Sequence, residues 1–215
     1  RVGGIPCRPD LNQEVAVQPR QIMGGTASVY EPDPLPSLRN RRSVYAEKLR
    51  GLRDPFLETF NQPGPDKSCE LRATSTVAPQ ALTLFNAAEI HDRALAFAAR
   101  LLRERKNPET IIGRAFSLAL GRSPLPDEVD ICLTHWKDAT SEEKEKLYAK
   151  PDFPTEIKRT VMAEKTGQPY DFIEIMPAYK NYIPDLQPAQ TNARTRGLAQ
   201  VCLVLFNLNE FAYLD

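Results

Sequence analysis

A mainly α fold is predicted for this chain: about six helices around one core, with a Pro-rich N-terminal arm and a small β-hairpin insertion. Three observations carry the prediction. Between residues 75 and 145 apolar residues recur at helical spacing, punctuated by capping residues. From Lys150 to Pro188 six prolines break that period, and apolar residues alternate with polar ones instead. From Ala193 the text is helical again. The expected organisation is an extended arm over 1–40, a helical core domain over 41–149, an insertion over 150–190 and a C-terminal helix over 191–215 that completes the core.

Each element has its own signal. Residues 1–40 hold six prolines and two Gly-Gly pairs, which suits an extended segment laid over the domain. Arg42–Arg53 reads either way, helix through Val44, Lys48, Leu49 and Leu52 or short strand at SVY. Pro55 begins a short turn of helix through Phe60, and QPGPD at 62–66 is a turn cluster. Ser75 or Thr76 can N-cap a helix with Pro79 in its first turn. The nearly continuous apolar run Ala81, Leu82, Leu84, Phe85 implies deep burial, and Asn86 is expected as a left-handed stop.

Ala88–Arg105 is an amphipathic helix with Ile90, Ala94, Leu95, Phe97, Ala98, Leu101 and Leu102 on one broad face. Asn107 caps the next helix, with Pro108 at its first position and Gly121 after Leu120. Pro126–Asp138 follows, carrying Val129, Leu133 and Trp136. Thr140 and Glu143 read as a capping box for a separate short, charged helix. In the insertion, Ile157, Arg159, Val161 and Ala163 form one alternating set and Tyr170, Phe172, Glu174 and Met176 another. Lys165–Pro169 lies between them as a turn, so a β-hairpin is expected. Thr191 or Asn192 caps the last helix, Ala193–Phe206.

Composition narrows the class. Apolar residues make up 41% of the 215, enough for a sizeable core without staples. Lysine plus arginine equals aspartate plus glutamate at 28 each, so no global field draws in nucleic acid or an anionic membrane. One local bias exists: Arg39, Arg41, Arg42, Lys48, Arg50 and Arg53 stand against Glu47 alone. A solvated face with one or two arginines turned inward is preferred to an anion site. No apolar run approaches the roughly 20 residues that span a bilayer.

The cysteines, Cys7, Cys69, Cys132 and Cys202, match no CxxC metal or redox spacing. Cys132 and Cys202 sit in apolar helical text as small core residues. Cys7 and Cys69 lie in loops and are the pair a disulfide could join.

Catalytic motifs are missing from the text. HExxH, CxxCH, GxSxG and both common phosphate loops are absent. The two histidines, His91 and His135, are read as surface or half-buried helix residues, and no metal site is expected. Ser75 and Thr76 are better read as helix caps than as nucleophiles. Asp127, Glu128 and Asp130 are the negative first turn of a helix, favoured by its dipole.

Two blocks are more particular. Arg41–Asn86 contains RRSVY, ETFNQP and SCELRATSTVAPQALTLFN, and Cys202–Asp215 reads CLVLFNLNEFAYLD. Within them Leu82–Asn86 and Leu203–Asn207 match at four of five positions, each followed three residues later by a glutamate, Glu89 or Glu210. Two buried helices ending in the same asparagine stop account for this echo.

Together the blocks resemble a C-terminal domain of unknown function from planctomycete proteins that also carry a planctomycete-type cytochrome c domain. The resemblance covers nearly the whole chain and is strongest at 41–86 and 193–215. YIPDLQPAQTNARTRGLAQVCLVLFN is similar to the form this family takes when it carries an insertion. Where the family tends to have threonine or serine as a helix cap, this chain has Leu125. RVGGIPCRPD resembles text inside the family's domain, which implies upstream helices and a longer exported protein, periplasmic or extracellular. The family has no established activity.

The candidate polar network at these blocks is Arg41, Arg42, Arg72, Asn86, Asn207, Asn209, Glu210 and Asp215. Polar side chains in text this apolar must be hydrogen-bonded if buried. An arginine fork can hold a carboxylate and cap a helix end together. We expect Arg72, then Arg41 or Arg42, to bond Glu210 or a helix-end carbonyl in a largely buried site. Two functions stay open: a non-catalytic module docking a partner protein or its own upstream domains, and an enzyme domain acting on extracellular polysaccharide. No catalytic residue is nominated, and no cofactor, nucleic acid or membrane span is expected in this chain.

Overall fold

The structure, a computed structural model, describes residues 21–22, 25–26, 33–40, 55–64, 78–163 and 165–212. Among these the fold is mainly α. Eight helices are present: α1 Pro36–Arg39, α2 Pro55–Thr59, α3 Ala78–Asn86, α4 Ala88–Glu104, α5 Pro108–Ala119, α6 Pro126–Glu145, α7 Ala193–Phe206 and α8 Asn209–Ala212. Two antiparallel hairpins accompany them, β1 Gln21–Ile22 with β2 Gly25–Thr26 and β3 Glu156–Met162 with β4 Pro169–Ile175. α1 interrupts the stretch expected to be extended: Pro36 fixes φ at its first position, and Asn40 N–H bonds Pro36 O. The reading of Arg42–Arg53 and the caps at Ser75 and Thr76 fall outside the described residues.

α7 is the centre. Leu198, Ala199, Val201, Cys202, Leu203, Leu205 and Phe206 are all buried, so the helix is apolar nearly all round. It packs chiefly between α4 and α6. α4 offers Ala94, Phe97, Ala98 and Leu101, the face its period predicts, and Phe97 stacks on Phe206 with ring centres 5.6 Å apart. α5 adds Ile111, Ile112, Ala115 and Phe116. α7 and α6 approach closely at Gly197. A Cβ there would lie 2.3 Å from Thr140 Oγ1 and 2.7 Å from Thr140 N, so only glycine fits the crossing.

Local signals placed several ends correctly. Asn107 Oδ1 accepts from Glu109 N at 2.9 Å, and Asn192 Oδ1 accepts from Thr195 N at 2.9 Å. Gly121 follows α5 with φ +73°. Leu125 has no acceptor to cap α6, but Glu128 reaches back from the first turn and accepts from Leu125 N at 2.7 Å.

Three expectations are corrected. α6 is one helix through Glu145, not two. Trp136, Ala139 and Glu143 continue a single buried face across Thr140, and no Gly or Pro breaks it. Asn86 and Asn207 are not left-handed stops: Asn61 is the one non-glycine residue with positive φ among the described residues, and Asn207 has φ −98°. α3 is not deeply buried. Gln80 turns inward to bond Thr59 O at 3.1 Å, Thr83 and Leu84 are half-buried, and Ala81, Leu82 and Phe85 are exposed.

The hairpin β3–β4 lies where it was expected, with Ile157, Arg159, Val161, Phe172 and Glu174 on its half-buried face. Arg159 Nε bonds Glu174 Oε2 at 2.8 Å within that face. Beyond it, Phe153, Tyr179 and Tyr182 form an aromatic cluster, and Ile183 N bonds Pro34 O at 2.9 Å.

Candidate functional site

The polar set expected at the terminal blocks is partly within view. Arg41, Arg42, Arg72 and Asp215 lie outside the described residues, as do Cys7 and Cys69. Asn86 is exposed and donates Nδ2 to Leu82 O at 3.0 Å. Asn207 is half-buried and donates Nδ2 to Leu203 O at 2.8 Å and to Leu84 O at 3.3 Å. Asn209 is exposed at the start of α8. Glu210 is exposed as well, and it accepts from Arg122 through Nε at 2.8 Å and Nη2 at 3.0 Å. The burial expected of Glu210 is therefore not found. α8 is a single turn at the surface, and the guanidinium that reaches it comes from the α5–α6 loop.

Arg122 joins two carboxylates. Besides Glu210 it grips Glu128 as a fork, Nη1 to Oε2 at 2.8 Å and Nη2 to Oε1 at 2.7 Å, with its guanidinium 5.3 Å from the Phe116 ring centre. These bonds, with the Leu125 N–H second, hold the Glu128 carboxyl down to about 2.

Two further arginine–carboxylate clamps are buried, and the sequence reading missed both. The first centres on Asp185. Arg39, 1% exposed, donates Nε to Asp185 Oδ2 at 3.3 Å, Nη1 to Asp33 O at 2.6 Å and Nη2 to Ile183 O at 2.6 Å. Its guanidinium lies over the Tyr182 ring, 4.4 Å from the centre. Asn40 Nδ2 bonds Asp185 Oδ1 at 2.9 Å, Arg93 Nη2 lies 3.4 Å from Oδ2, and Arg93 also donates to Asn40 Oδ1. One carboxylate thus ties α1, α4 and the segment after the hairpin.

The second centres on Glu143, whose side chain is 2% exposed. It accepts from Arg196 Nε at 2.9 Å, Tyr148 Oη at 2.7 Å and Lys146 Nζ at 2.8 Å. Arg196 also donates to the carbonyls of Glu143, Pro188 and Thr191. Burial alone would raise the Glu143 carboxyl. The bonds from Lys146, Tyr148 and Arg196 outweigh it and hold the group below its ordinary range.

Little else in the described residues looks reactive. His91 and His135 are exposed, and a His91 ring nitrogen lies 3.0 Å from Phe85 O. Burial raises the Cys132 and Cys202 thiols, so neither is a ready nucleophile. Among the described residues no group of three or more His, Cys, Asp or Glu could hold a metal ion, and no helix is long and apolar enough to cross a membrane.

The unusual surface is on α3. Leu203 and Phe206 on α7 are each 2% exposed, whereas their counterparts in the echo on α3, Leu82 and Phe85, are 61% and 49% exposed. The same text is core in one helix and open in the other. α3 carries no charged residue to solvate that face.

A family model described as PSD1, protein of unknown function (DUF1553), matches residues 2–136. The chain belongs to this family. The PSD1 match takes in Arg39, Asn40, Arg93 and all of α3, but stops short of Asp185 and α7. PSD1 residues therefore supply the guanidiniums of the first clamp, and its carboxylate lies beyond the match. No curated protein and no solved structure matches the chain.

Proposed function

We propose that this PSD1 chain is a non-catalytic helical module that docks an apolar surface through α3, supplied by a partner protein or by upstream domains of its own polypeptide. The observation that carries the reading is the exposure of Leu82 and Phe85 on an uncharged helix whose twin text on α7 is buried. Two large apolar side chains one turn apart are the anchor pattern of helix-face recognition. The charged clusters favour the same reading, since Arg39, Arg196, Asp185 and Glu143 spend their polar atoms on one another and on nearby carbonyls. The resemblance at 41–86 and 193–215 supports a setting at the C-terminus of an exported multidomain protein of planctomycete, cytochrome c-associated type, and the lack of CxxCH with only two histidines supports a chain that holds no cofactor.

The test is a photo-crosslinking aromatic residue in place of Phe85 in the full-length protein. The reading expects adducts to peptides outside residues 1–215 or to a second protein. Adducts confined to peptides within 1–215 would overturn it.

A further inference from the structure

We propose that β4 is a self-pairing edge: two copies of the chain join β4 to β4, antiparallel about Ile173, to make a four-stranded sheet in the order β3-β4-β4-β3.

The ladder fixes which backbone groups are available. Met176 N bonds Thr155 O at 2.8 Å and Ala163 N bonds Gln168 O at 2.9 Å, one at each end of the hairpin. Antiparallel pairs alternate between bonded and non-bonded, so Ile157/Glu174, Arg159/Phe172 and Val161/Tyr170 are the bonded pairs between those ends. The N–H and C=O groups of Asp171, Ile173 and Ile175 then point away from β3. No third strand joins this sheet among the described residues.

The side chains at the same three positions lie on the open face. Ile173 and Ile175 are 63% and 68% exposed. The guards on β4 are weak: it has no lysine, its one proline, Pro169, is its first residue, and its two charges, Asp171 and Glu174, are already held within the hairpin. Such an edge invites strand addition.

The β4 edge matches a second copy of itself. Pairing about Ile173 sets Ile173 against Ile173 and Asp171 against Ile175 on both sides of the two-fold axis. No like charges then face each other. Asp171 is already held by Lys158 Nζ at 2.6 Å and Thr160 Oγ1 at 2.7 Å, and on the other face Glu174 is held by Arg159. The β3 edge is different. Its outward positions include Glu156 and Lys158, and self-pairing about Lys158 would oppose two lysines, which is destabilising. The β4 contact is isologous and closes on itself, and the charged β3 edges flank the resulting sheet.

Sedimentation of the full chain over a concentration series, with residue-resolved amide exchange, tests this. The expected result is a monomer–dimer equilibrium in which the amides of Asp171, Ile173 and Ile175 gain protection as dimer forms, while those of Glu156, Lys158 and Thr160 do not. Ile173→Lys should weaken the dimer more than about tenfold, because two lysines would meet on the axis. Ile173→Pro should abolish the dimer yet leave the hairpin, since that N–H serves no bond to β3. A monomer at every concentration would overturn the proposal. So would a dimer protected at α3 or β3 instead of β4, protection of the three β4 amides only when a different protein is added, or a dimer unmoved by Ile173→Lys.

Discussion

Asn207 donates one side-chain amide to two helices: to Leu203 O of α7 at 2.8 Å and to Leu84 O of α3 at 3.3 Å. Asn86, its counterpart in the echo, bonds only Leu82 O of its own helix. Both asparagines therefore turn the side chain back onto a carbonyl one turn earlier in the helix they end. Asn207 also fastens α3 to the core helix. We expect Asn207→Ala to cost about 1 kcal/mol, the net value of a half-buried hydrogen bond, and Asn86→Ala to cost clearly less. Urea unfolding of both variants checks this.

Gly197 sets the distance between α6 and α7. A methyl group there meets backbone atoms of Thr140, which cannot swing aside. Alanine would gain roughly 1 kcal/mol of helix propensity at that position. The clash should outweigh the gain, for a net loss of about 1–3 kcal/mol in Gly197→Ala. A variant as stable as the parent, by thermal unfolding, would show that the helices can part freely.

Glu143 and Arg196 should behave as a coupled pair. Removing Glu143 leaves the Arg196 charge buried without a carboxylate, which costs about 3–5 kcal/mol, and removing Arg196 costs less because Lys146 still pairs with Glu143. The double variant Glu143→Leu, Arg196→Leu should lose much less than the sum of the two single changes. A double-mutant cycle by denaturant unfolding measures the coupling, and simple additivity would mean the pair is not formed.

Glu128 gives a pH signature. Its carboxyl sits at about 2 against an ordinary 4.5, through Arg122 first and the Leu125 N–H second. A depressed carboxyl contributes stability above its unfolded pKa and loses it as pH falls through the folded value. The loss should fall between about pH 4.5 and pH 2. A carbon-detected NMR titration should place Glu128 near the lower figure, and Arg122→Ala should bring it back towards the upper one.

These residues show what the text revealed and what it concealed. The start of α5 was readable because Asn107, Pro108 and Glu109 act on one another within a turn. The start of α7 at Asn192 was readable for the same reason, and the two alternating sets with a turn between them announced the β3–β4 hairpin, though not its register. Glu143 misled because Thr140 and Glu143 form a valid local cap pattern, while the partner that pulls Glu143 inward is 53 residues away. Arg39 appeared only as one member of a basic run; its carboxylate lies 146 residues on. The run Ala81–Phe85 announced apolarity, but apolarity alone does not say whether a neighbour exists to cover it.

The most direct test of the docking account compares the two copies of the echo. Leu82→Asp with Phe85→Asp on α3 should change unfolding stability by no more than about 0.5 kcal/mol per site, as surface substitutions do. Leu203→Ala and Phe206→Ala on α7 should each cost about 2–5 kcal/mol by opening the core. If the α3 pair instead unfolds the chain as the α7 changes do, Leu82 and Phe85 belong to the core, and no open face remains on α3 for a partner to dock against.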